Sequence, residues 1–160
     1  RRGDQHLVAG SDQRAGDHAP DRGHEETMAL NHATIRITNL RLRTLIGFNP
    51  EERVKKQDVV INIEIDYTIN AAVLEDHVDE ALNYKTVTKK IIRHVEQGRF
   101  LLLEKLVAEI LAISCEHPTV NQARVTVDKP HALRFADSVS LSLEYTADTA
   151  NVVNYLEKAS

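Results

Sequence analysis

The sequence predicts an α+β fold in which two helices cover one face of an antiparallel sheet. Apolar and polar residues alternate in two runs before residue 70 and in two more after residue 122, which is the pattern of half-buried strands. Between these runs the apolar residues recur about every 3.6 positions, which is the period of an α-helix. The predicted order of elements is therefore ββααββ.

The first two strands are predicted to form a long hairpin. The first strand covers Thr34 to Leu45, and a change of phase near Asn39 indicates a bulge. A loop opens at Gly47 and ends at Gln57. The apolar face of the second strand consists of Val59, Ile61, Ile63, Ile65, Tyr67 and Ile69.

Two helices follow an acidic connection at residues 75–80. Gly98 ends the first helix, and His117-Pro118 stops the second. The apolar stripe of the first helix consists of Tyr84, Val87, Ile91 and Val95. The stripe of the second helix consists of Leu103, Leu106, Val107, Ile110 and Leu111. We expect both stripes to pack on the sheet.

Two further strands are predicted at residues 123–127 and 138–145, on either side of a loop at residues 128–138. This loop places charged side chains among small and apolar residues, which is poor turn chemistry but suits a functional site. Its basic side chains are those of Lys129, His131 and Arg134. A charged, solvated loop without a function is the alternative.

The chain divides into three segments by composition. Residues 1–32 are predicted to be a disordered extension, because residues 1–27 contain four of the six glycines and no Ile, Phe or Tyr. The composition changes at Met28, which is a candidate for the natural start. Residues 33–146 form the predicted folded domain, and residues 147–160 form a tail with the pattern of a short helix.

Composition excludes several classes of protein. A net charge of −4 and a pI near 6.1 give no electrostatic reason to expect a nucleic-acid or anionic-membrane partner. Cys115 is the single cysteine, so no intrachain disulfide is expected, and this usage is typical of a reducing compartment. No apolar run approaches the roughly 20 residues of a membrane span. A soluble cytoplasmic protein is the resulting prediction.

Five features occur together and in order. They are the ββααββ arrangement, the Gly47-Glu52-Gln57 spacing, Leu82-Asn83-Tyr84, the Phe-Leu-Leu-Leu-Glu run at 100–104, and Lys129-Pro130. Over residues 33–146 the chain therefore resembles the dihydroneopterin aldolase and epimerase family. Residues 131–134 and 136–140 are similar to the epimerase branch, whereas Lys129-Pro130 is common to both branches.

The resemblance implies the tunnelling fold, in which tetrameric rings close their sheets into a barrel and stack in pairs as a homo-octamer with pterin sites at subunit interfaces. The predicted strands agree, because their edges have no cover within one chain and such edges need protection from open-ended pairing. Related tunnelling-fold enzymes hold zinc with histidines. The eight histidines here show no close ligand spacing, so we expect a reaction without metal or cofactor.

By resemblance, Lys129, Tyr84 and Glu52 are the catalytic residues. Lys129 would stabilise the electron-rich ring of a dihydropterin while a carbon–carbon bond of its side chain breaks, without a Schiff base. Tyr84 would relay a proton in a neighbouring subunit's site, and Glu52 would orient side-chain hydroxyls or a water. Each residue also has a structural alternative: a solvated lysine, a core tyrosine, and half of a solvated acidic pair with Glu51.

The substrate-binding residues implied by the resemblance are Glu104, Leu103, Asn83, His131 and Arg134. Glu104 would accept two hydrogen bonds from the amino-pyrimidine edge, and backbone groups near Asn83 and Leu103 would complete that edge. Alternatively, Glu104 is simply a carboxylate in the first turn of the helix, where the helix dipole stabilises it. His131 is associated with epimerisation or is simply a satisfied loop residue. The candidate phosphate donors are Arg134, Arg41, Arg43, Lys55 and Lys56, and surface charge is the preferred interpretation of the two lysines.

Three functions follow from this resemblance. The first is epimerisation of 7,8-dihydroneopterin triphosphate at the second side-chain carbon, and the second is the aldolase reaction that releases glycolaldehyde and 6-hydroxymethyl-dihydropterin. The third is a pterin-binding oligomer without catalytic activity.

Overall fold

The computed structural model describes residues 31–147, which form a five-stranded sheet with helices on one face. The strands are β1 His32–Ile46, β2 Gln57–Thr68, β3 Arg99–Phe100, β4 Val120–Pro130 and β5 Ser138–Thr146. The helices are α1 Ala71–Leu74, α2 Tyr84–Gln97 and α3 Leu103–Ser114, with a 3-10 turn at Val78–Glu80. Residues 1–30 of the predicted extension and residues 148–160 of the predicted tail lie outside the described residues.

The predicted hairpin and its bulge are confirmed. β1 and β2 pair antiparallel, and the register shifts between Ile37 and Leu40. Asn39 takes a positive φ of 54° at the shift, and its N–H donates to Oδ1 of Asn62 at 2.9 Å. The bulge changes the phase of β1, so that Ile35 and Ile37 before it and the apolar residues after it pack on the same core.

The sheet order is β3-β1-β2-β4-β5, so the predicted ββααββ arrangement is confirmed with one added strand. β3 pairs parallel to the end of β1, with Leu45 opposite Arg99 and Ile46 opposite Phe100. Two residues are too few to show a hydrophobic period, which is why the sequence did not predict β3. Among residues 31–147, the 32–44 portion of β1 pairs on one side only, and β5 pairs only with β4.

The core lies between the sheet and the two long helices. Its members are fully or almost fully buried apolar side chains, among them Val59, Ile61, Ile63, Ile65, Ile91, Val95, Leu106, Ile110, Val125 and Val127. Burial of each such side chain is worth about 1.5–3 kcal/mol. Cys115 packs against this core, and burial raises the pKa of its thiol to about 12.

Three predicted boundaries were wrong. β4 begins at Val120 rather than at residue 123. β4 extends through Pro130, so residues 128–130 belong to a strand rather than to the loop, which covers only residues 131–137. Pairing of Asp128, Lys129 and Pro130 with β5 keeps this segment extended, and Pro130 at the strand end needs no ladder N–H. Helix α3 ends at Ser114, before the predicted stop at His117-Pro118.

None of the helices within residues 31–147 is both long enough and apolar enough to span a membrane.

Candidate active site

An ion pair between Lys129 and Glu52 joins two distant parts of the chain. Lys129 lies near the end of β4, and Glu52 lies in the loop that connects β1 to β2. Nζ of Lys129 donates to Oε2 of Glu52 at 2.6 Å. The two side chains are only 14% and 23% exposed, so the solvated alternatives considered for each residue do not hold.

The loop holds the Glu52 carboxylate by a reciprocal contact with Asn49. The Glu52 N–H donates to Oδ1 of Asn49 at 2.9 Å, and the Asn49 N–H approaches Oε1 of Glu52 at 3.4 Å. Gln57 adds a third support, because its Nε2 donates to the Ile46 carbonyl at 2.6 Å and also lies 3.4 Å from Oε2 of Glu52. The side chain of Glu52 is therefore oriented from both ends of the loop.

Gly47 provides the space that this carboxylate occupies. Its φ of +128° is in the region that favours glycine, and a Cβ built at this position would lie 2.2 Å from the Glu52 carboxyl carbon. The Gly47 N–H also donates to the Phe100 carbonyl at 2.9 Å. Glycine is therefore required at position 47 for two reasons: its positive φ and the space that the Glu52 carboxylate occupies.

The ion pair sets the charge state of the carboxylate. The hydrogen bond from Lys129 lowers the pKa of Glu52 below its ordinary value, burial opposes this shift, and the Asn49 amide adds to the lowering. At neutral pH Glu52 is therefore an anion that accepts hydrogen bonds, held beside a cation. Such a pair can orient a hydroxyl group or a water and can stabilise an electron pair that forms nearby.

A cavity of about 90 Å³ opens beside Glu52. It is lined by Leu45, Gly47, Glu52, Arg53, Arg99, Phe100 and Leu101. Small-molecule sites usually enclose about 300–1,000 Å³, so this cavity is too small to be a complete binding site within one chain. The 100–104 segment leads from the cavity directly into α3 and to Glu104.

Tyr84 and Asn83 lie where α2 begins. Asn83 is the N-cap, and its Oδ1 accepts from the N–H groups of Lys85 at 3.0 Å and Thr86 at 3.2 Å. Tyr84 is 52% exposed, so it is not the core residue that its helical position allowed. Within residues 31–147 the Tyr84 hydroxyl has no hydrogen-bond partner.

Leu103 and Glu104 form the first turn of α3. Leu103 packs against the core, whereas Glu104 is exposed and has no ion-pair or hydrogen-bond partner in the described part of the chain. No side chain caps this helix, because Leu102 is at the N-cap. The helix dipole therefore stabilises the Glu104 carboxylate, which is also free to accept hydrogen bonds from a ligand.

His131 and Arg134 lie on the exposed loop at residues 131–137, which follows Lys129 and Pro130 in the chain. His131 has a positive φ of 60°, and its N–H donates to the Asp137 carbonyl at 3.3 Å. The Arg134 guanidinium lies 5.5 Å from the ring centre of Phe135, which is 94% exposed. The structure thus brings Glu52 and Lys129 into contact, and no hydrogen bond or ion pair within residues 31–147 joins the other candidate residues to this pair.

Residues 31–147 contain no cluster of three or more His, Cys, Asp or Glu side chains arranged to hold a metal ion.

The family model described as FolB: Dihydroneopterin aldolase matches residues 35–144. This range contains every candidate site residue. The chain belongs to the dihydroneopterin aldolase family.

Relatives within the family carry two different names. The chain is 56% identical over 111 residues to a dihydroneopterin triphosphate 2'-epimerase of Pseudomonas aeruginosa, covering 69% of this chain and 90% of the relative. It is 53% identical over 118 residues to the protein of that name from Escherichia coli, covering 74% and 98%. Identity to the dihydroneopterin aldolase of Escherichia coli is 32% over 111 residues, covering 68% and 88%.

Solved structures of the family share the fold. The putative dihydroneopterin aldolase of Vibrio cholerae is 32% identical with a TM-score of 0.66, covering 71% of this chain and 97% of that one. The Escherichia coli dihydroneopterin aldolase, solved in complex with neopterin, is 26% identical with a TM-score of 0.65, covering 71% and 98%. These matches confirm the predicted α+β family fold.

Two supporting residues of this family site were not assigned roles from the sequence. Asn49 holds both ends of Glu52, and a signal existed in the Asn-x-x-Glu spacing, which is typical of reciprocal side chain to backbone capping. Phe100 lines the cavity and accepts from Gly47 through its carbonyl, a contact that depends on β3. Because β3 was not predicted, this contact could not be predicted either.

Proposed function

We propose that the protein inverts the second side-chain carbon of 7,8-dihydroneopterin triphosphate and so produces the dihydromonapterin form. The greater identity to two proteins named dihydroneopterin triphosphate 2'-epimerase than to a named aldolase carries this choice. The Lys129–Glu52 pair supports the chemistry, because it holds a cation against an ionised carboxylate that lines a cavity.

The reaction begins when the hydroxyl on the second side-chain carbon loses its proton. The bond between the first and second side-chain carbons then breaks, its electron pair moves into the ring imine, and an aldehyde fragment forms. The fragment turns over while bound, and the enamine carbon attacks its opposite face. The hydroxyl regains a proton, so no atom is gained or lost and the configuration is inverted.

Three side chains carry this reaction. Lys129 stabilises the electron pair on the ring nitrogen, directly or through an ordered water. Glu52, ionised at neutral pH, accepts hydrogen bonds from the side-chain hydroxyls and keeps Lys129 in place. Tyr84 of a neighbouring subunit relays the proton to and from the substrate.

The pterin ring is anchored at the start of α3. Glu104 accepts two N–H bonds from the amino-pyrimidine edge, and backbone groups near Leu103 and Asn83 complete the contacts. Support comes from the exposure of Glu104 in the described chain and from its place three residues after Leu101, which lines the cavity with Phe100. His131 takes part in epimerisation, and Arg134 is a candidate contact of the triphosphate.

The active form is a homo-octamer of two tetrameric rings with the sites between subunits. Three observations support this assembly: β1 and β5 keep unpaired edges within residues 31–147, Tyr84 is half exposed, and the cavity of one chain is too small for a substrate. We place the activity in residues 33–146 and, from cysteine usage, in the cytoplasm.

The test separates three outcomes by product. Purified protein is incubated with dihydroneopterin triphosphate and, separately, with dihydroneopterin, and the pterins are oxidised, dephosphorylated and resolved by chromatography. Monapterin as the main product from the triphosphate supports the epimerase. Absence of monapterin together with abundant 6-hydroxymethylpterin overturns it.

The aldolase reaction is the second candidate function. The description of the family model and the match to the Escherichia coli aldolase favour it, and both reactions share the bond-breaking step. A low yield of 6-hydroxymethylpterin is expected even from an epimerase. A protein that forms neither product, and whose Lys129→Ala variant behaves identically, would be a pterin-binding oligomer.

A further inference from the structure

A second cavity lies at the same end of the sheet as Lys129 but opens on the face away from the helices. Its volume is about 390 Å³, within the range of small-ligand sites. Its charged and polar lining residues are Arg41, Arg43, Asp58 and His131. Its apolar lining residues are Leu42, Val59, Val60 and Pro130. The cavity is distinct from the one beside Glu52, because the two share no lining residue.

Arg41 is the arginine of this cavity whose guanidinium group is free to bind a ligand. It has no hydrogen-bond or ion-pair partner among residues 31–147, and it is exposed. Arg43, in contrast, donates to the Lys56 carbonyl at 2.9 Å and places its Nε 3.6 Å from Oδ1 of Asp58. The negative charge of Asp58 is therefore already offset, and Arg41 remains available for an anion.

A second carboxylate shares this face. Asp128 pairs with Val60, and Arg41 pairs with Val60 from the opposite side, so one strand separates the two residues. Neighbouring strands lie about 4.8 Å apart, so the two backbones are roughly 10 Å apart. Asp128 does not line the cavity, and its charge acts on Arg41 only across this distance.

The cavity begins one residue beyond Lys129. Pro130 and His131 follow Lys129 directly and line the cavity, and the pair Val60 with Asp128 is the last of the β2–β4 ladder at this end of the sheet. Gln57, which begins β2, contacts Glu52. A substrate held by Lys129 and Glu52 on the helix side therefore needs only to cross the end of the sheet to reach this cavity.

We propose that Arg41, supported by Arg43 and His131, binds the triphosphate arm of the substrate. The inference rests on the proposed function and identifies the part of the site that holds the phosphates. When the side-chain bond breaks, the phosphates remain on the aldehyde fragment. A cationic grip on them retains the fragment for recombination and so favours epimerisation over release.

The structure also ranks the candidate phosphate donors. Nζ of Lys56 donates to the Glu96 carbonyl at 3.0 Å and is directed toward α2. Arg134 lies against Phe135 on the exposed loop and does not line this cavity. Arg41 and Arg43 are the arginines among these candidates that line this cavity, together with Pro130, which follows Lys129 in the chain.

The first test uses inorganic tripolyphosphate as a probe and isothermal calorimetry as the readout, so it needs no turnover. Arg41→Ala should raise the Kd about tenfold, the loss of one charged contact, while Arg41→Lys should lose less. Asp58→Asn should lower the Kd, because it removes a negative charge that repels the anionic probe and releases Arg43 from its ion pair with Asp58. The matched control is Arg36→Ala, which lies on the same strand and the same sheet face, in an ion pair with Glu64, and should leave the Kd unchanged.

The second test measures catalysis. Arg41→Ala should raise KM for dihydroneopterin triphosphate about tenfold, leave KM for dihydroneopterin unchanged, and increase the ratio of 6-hydroxymethylpterin to monapterin. An unchanged tripolyphosphate Kd in Arg41→Ala would overturn the inference while leaving the epimerase intact. Failure of the unaltered protein to turn over either pterin would remove the proposed function, and the calorimetry would still decide whether Arg41 binds phosphate.

Discussion

The Glu52 carboxylate occupies the space that a side chain at position 47 would fill, and Gly47 leaves this space open. A Cβ at Gly47 would be 2.2–2.6 Å from the three carboxyl atoms of Glu52, and real Cβ atoms do not approach other atoms so closely. The same carboxylate accepts from Lys129 at 2.6 Å. A backbone position at the end of β1 therefore controls an ion pair at the end of β4.

Gly47→Ala should displace Glu52 and reduce kcat at least tenfold, and it should lower the free energy of unfolding by about 1–3 kcal/mol because of the positive φ. Steady-state kinetics and urea unfolding measure the two effects. Val54→Ala in the same loop is the control, since the Val54 side chain is 78% exposed. Wild-type kinetics in Gly47→Ala would contradict the steric role of this glycine.

Glu52→Gln should reduce kcat by about 10²–10³-fold, because it removes the ionised acceptor beside Lys129. Its neighbour Glu51 offers a matched control of the same type and loop. Glu51→Gln should stay within about threefold of the unaltered protein, since exposed charges away from a site have small effects. Equal losses in the two variants would show that loop charge, rather than the contact with Lys129, determines the rate.

The stability contributed by the ion pair should depend on pH in one direction. Because the pKa of Glu52 is lowered in the folded protein, its contribution is present above the unfolded value of about 4.5 and is lost as pH falls through the folded pKa. Urea unfolding of the unaltered protein and Glu52→Gln should differ at pH 7 and converge in acid. In Lys129→Met, carboxyl NMR should report a higher Glu52 pKa, and an unchanged pKa would exclude Lys129 as the main cause.

If each active site combines Lys129 of one subunit with Tyr84 of a neighbouring subunit, two inactive variants should restore activity when they form mixed oligomers. Lys129→Ala and Tyr84→Phe are mixed in equal amounts, unfolded together and refolded. If Tyr84 serves a neighbouring subunit, about a quarter of the sites in random hybrids contain both intact residues, and activity returns to that fraction. If each site uses its own Tyr84, no subunit contains both residues and the mixture stays inactive. Refolding each variant alone is the control.

Residues that repeat along one element could be predicted from the sequence. The alternation in β2 predicted its buried face, because adjacent side chains of a strand point to opposite sides. The phase change near Asn39 predicted the bulge, and the stripes of α2 and α3 predicted the helices that cover the sheet. The family motifs also indicated Glu52 and Lys129, which the structure places in contact.

Features that depend on pairing between distant segments were missed or misplaced. β3 is two residues long and exists because β1 lies beside it, and β4 continues through Lys129 because β5 pairs with it there. Tyr84 occupies a position on the apolar stripe of α2, yet it is half exposed because the helix begins at this residue, beyond the cover of the core.

By itself the sequence determined the order of the elements, the apolar faces that build the core, and the residues with suitable chemistry, because these properties are local or periodic. Only the tertiary structure decided that Lys129 meets Glu52, that Gly47 makes room for this contact, and that Arg41 and His131 line a cavity one residue further along. The reason is physical: alternation along a strand fixes which face of the sheet a side chain takes, whereas the distance between two side chains that are far apart in the chain also depends on which strands pair and on the loop conformation.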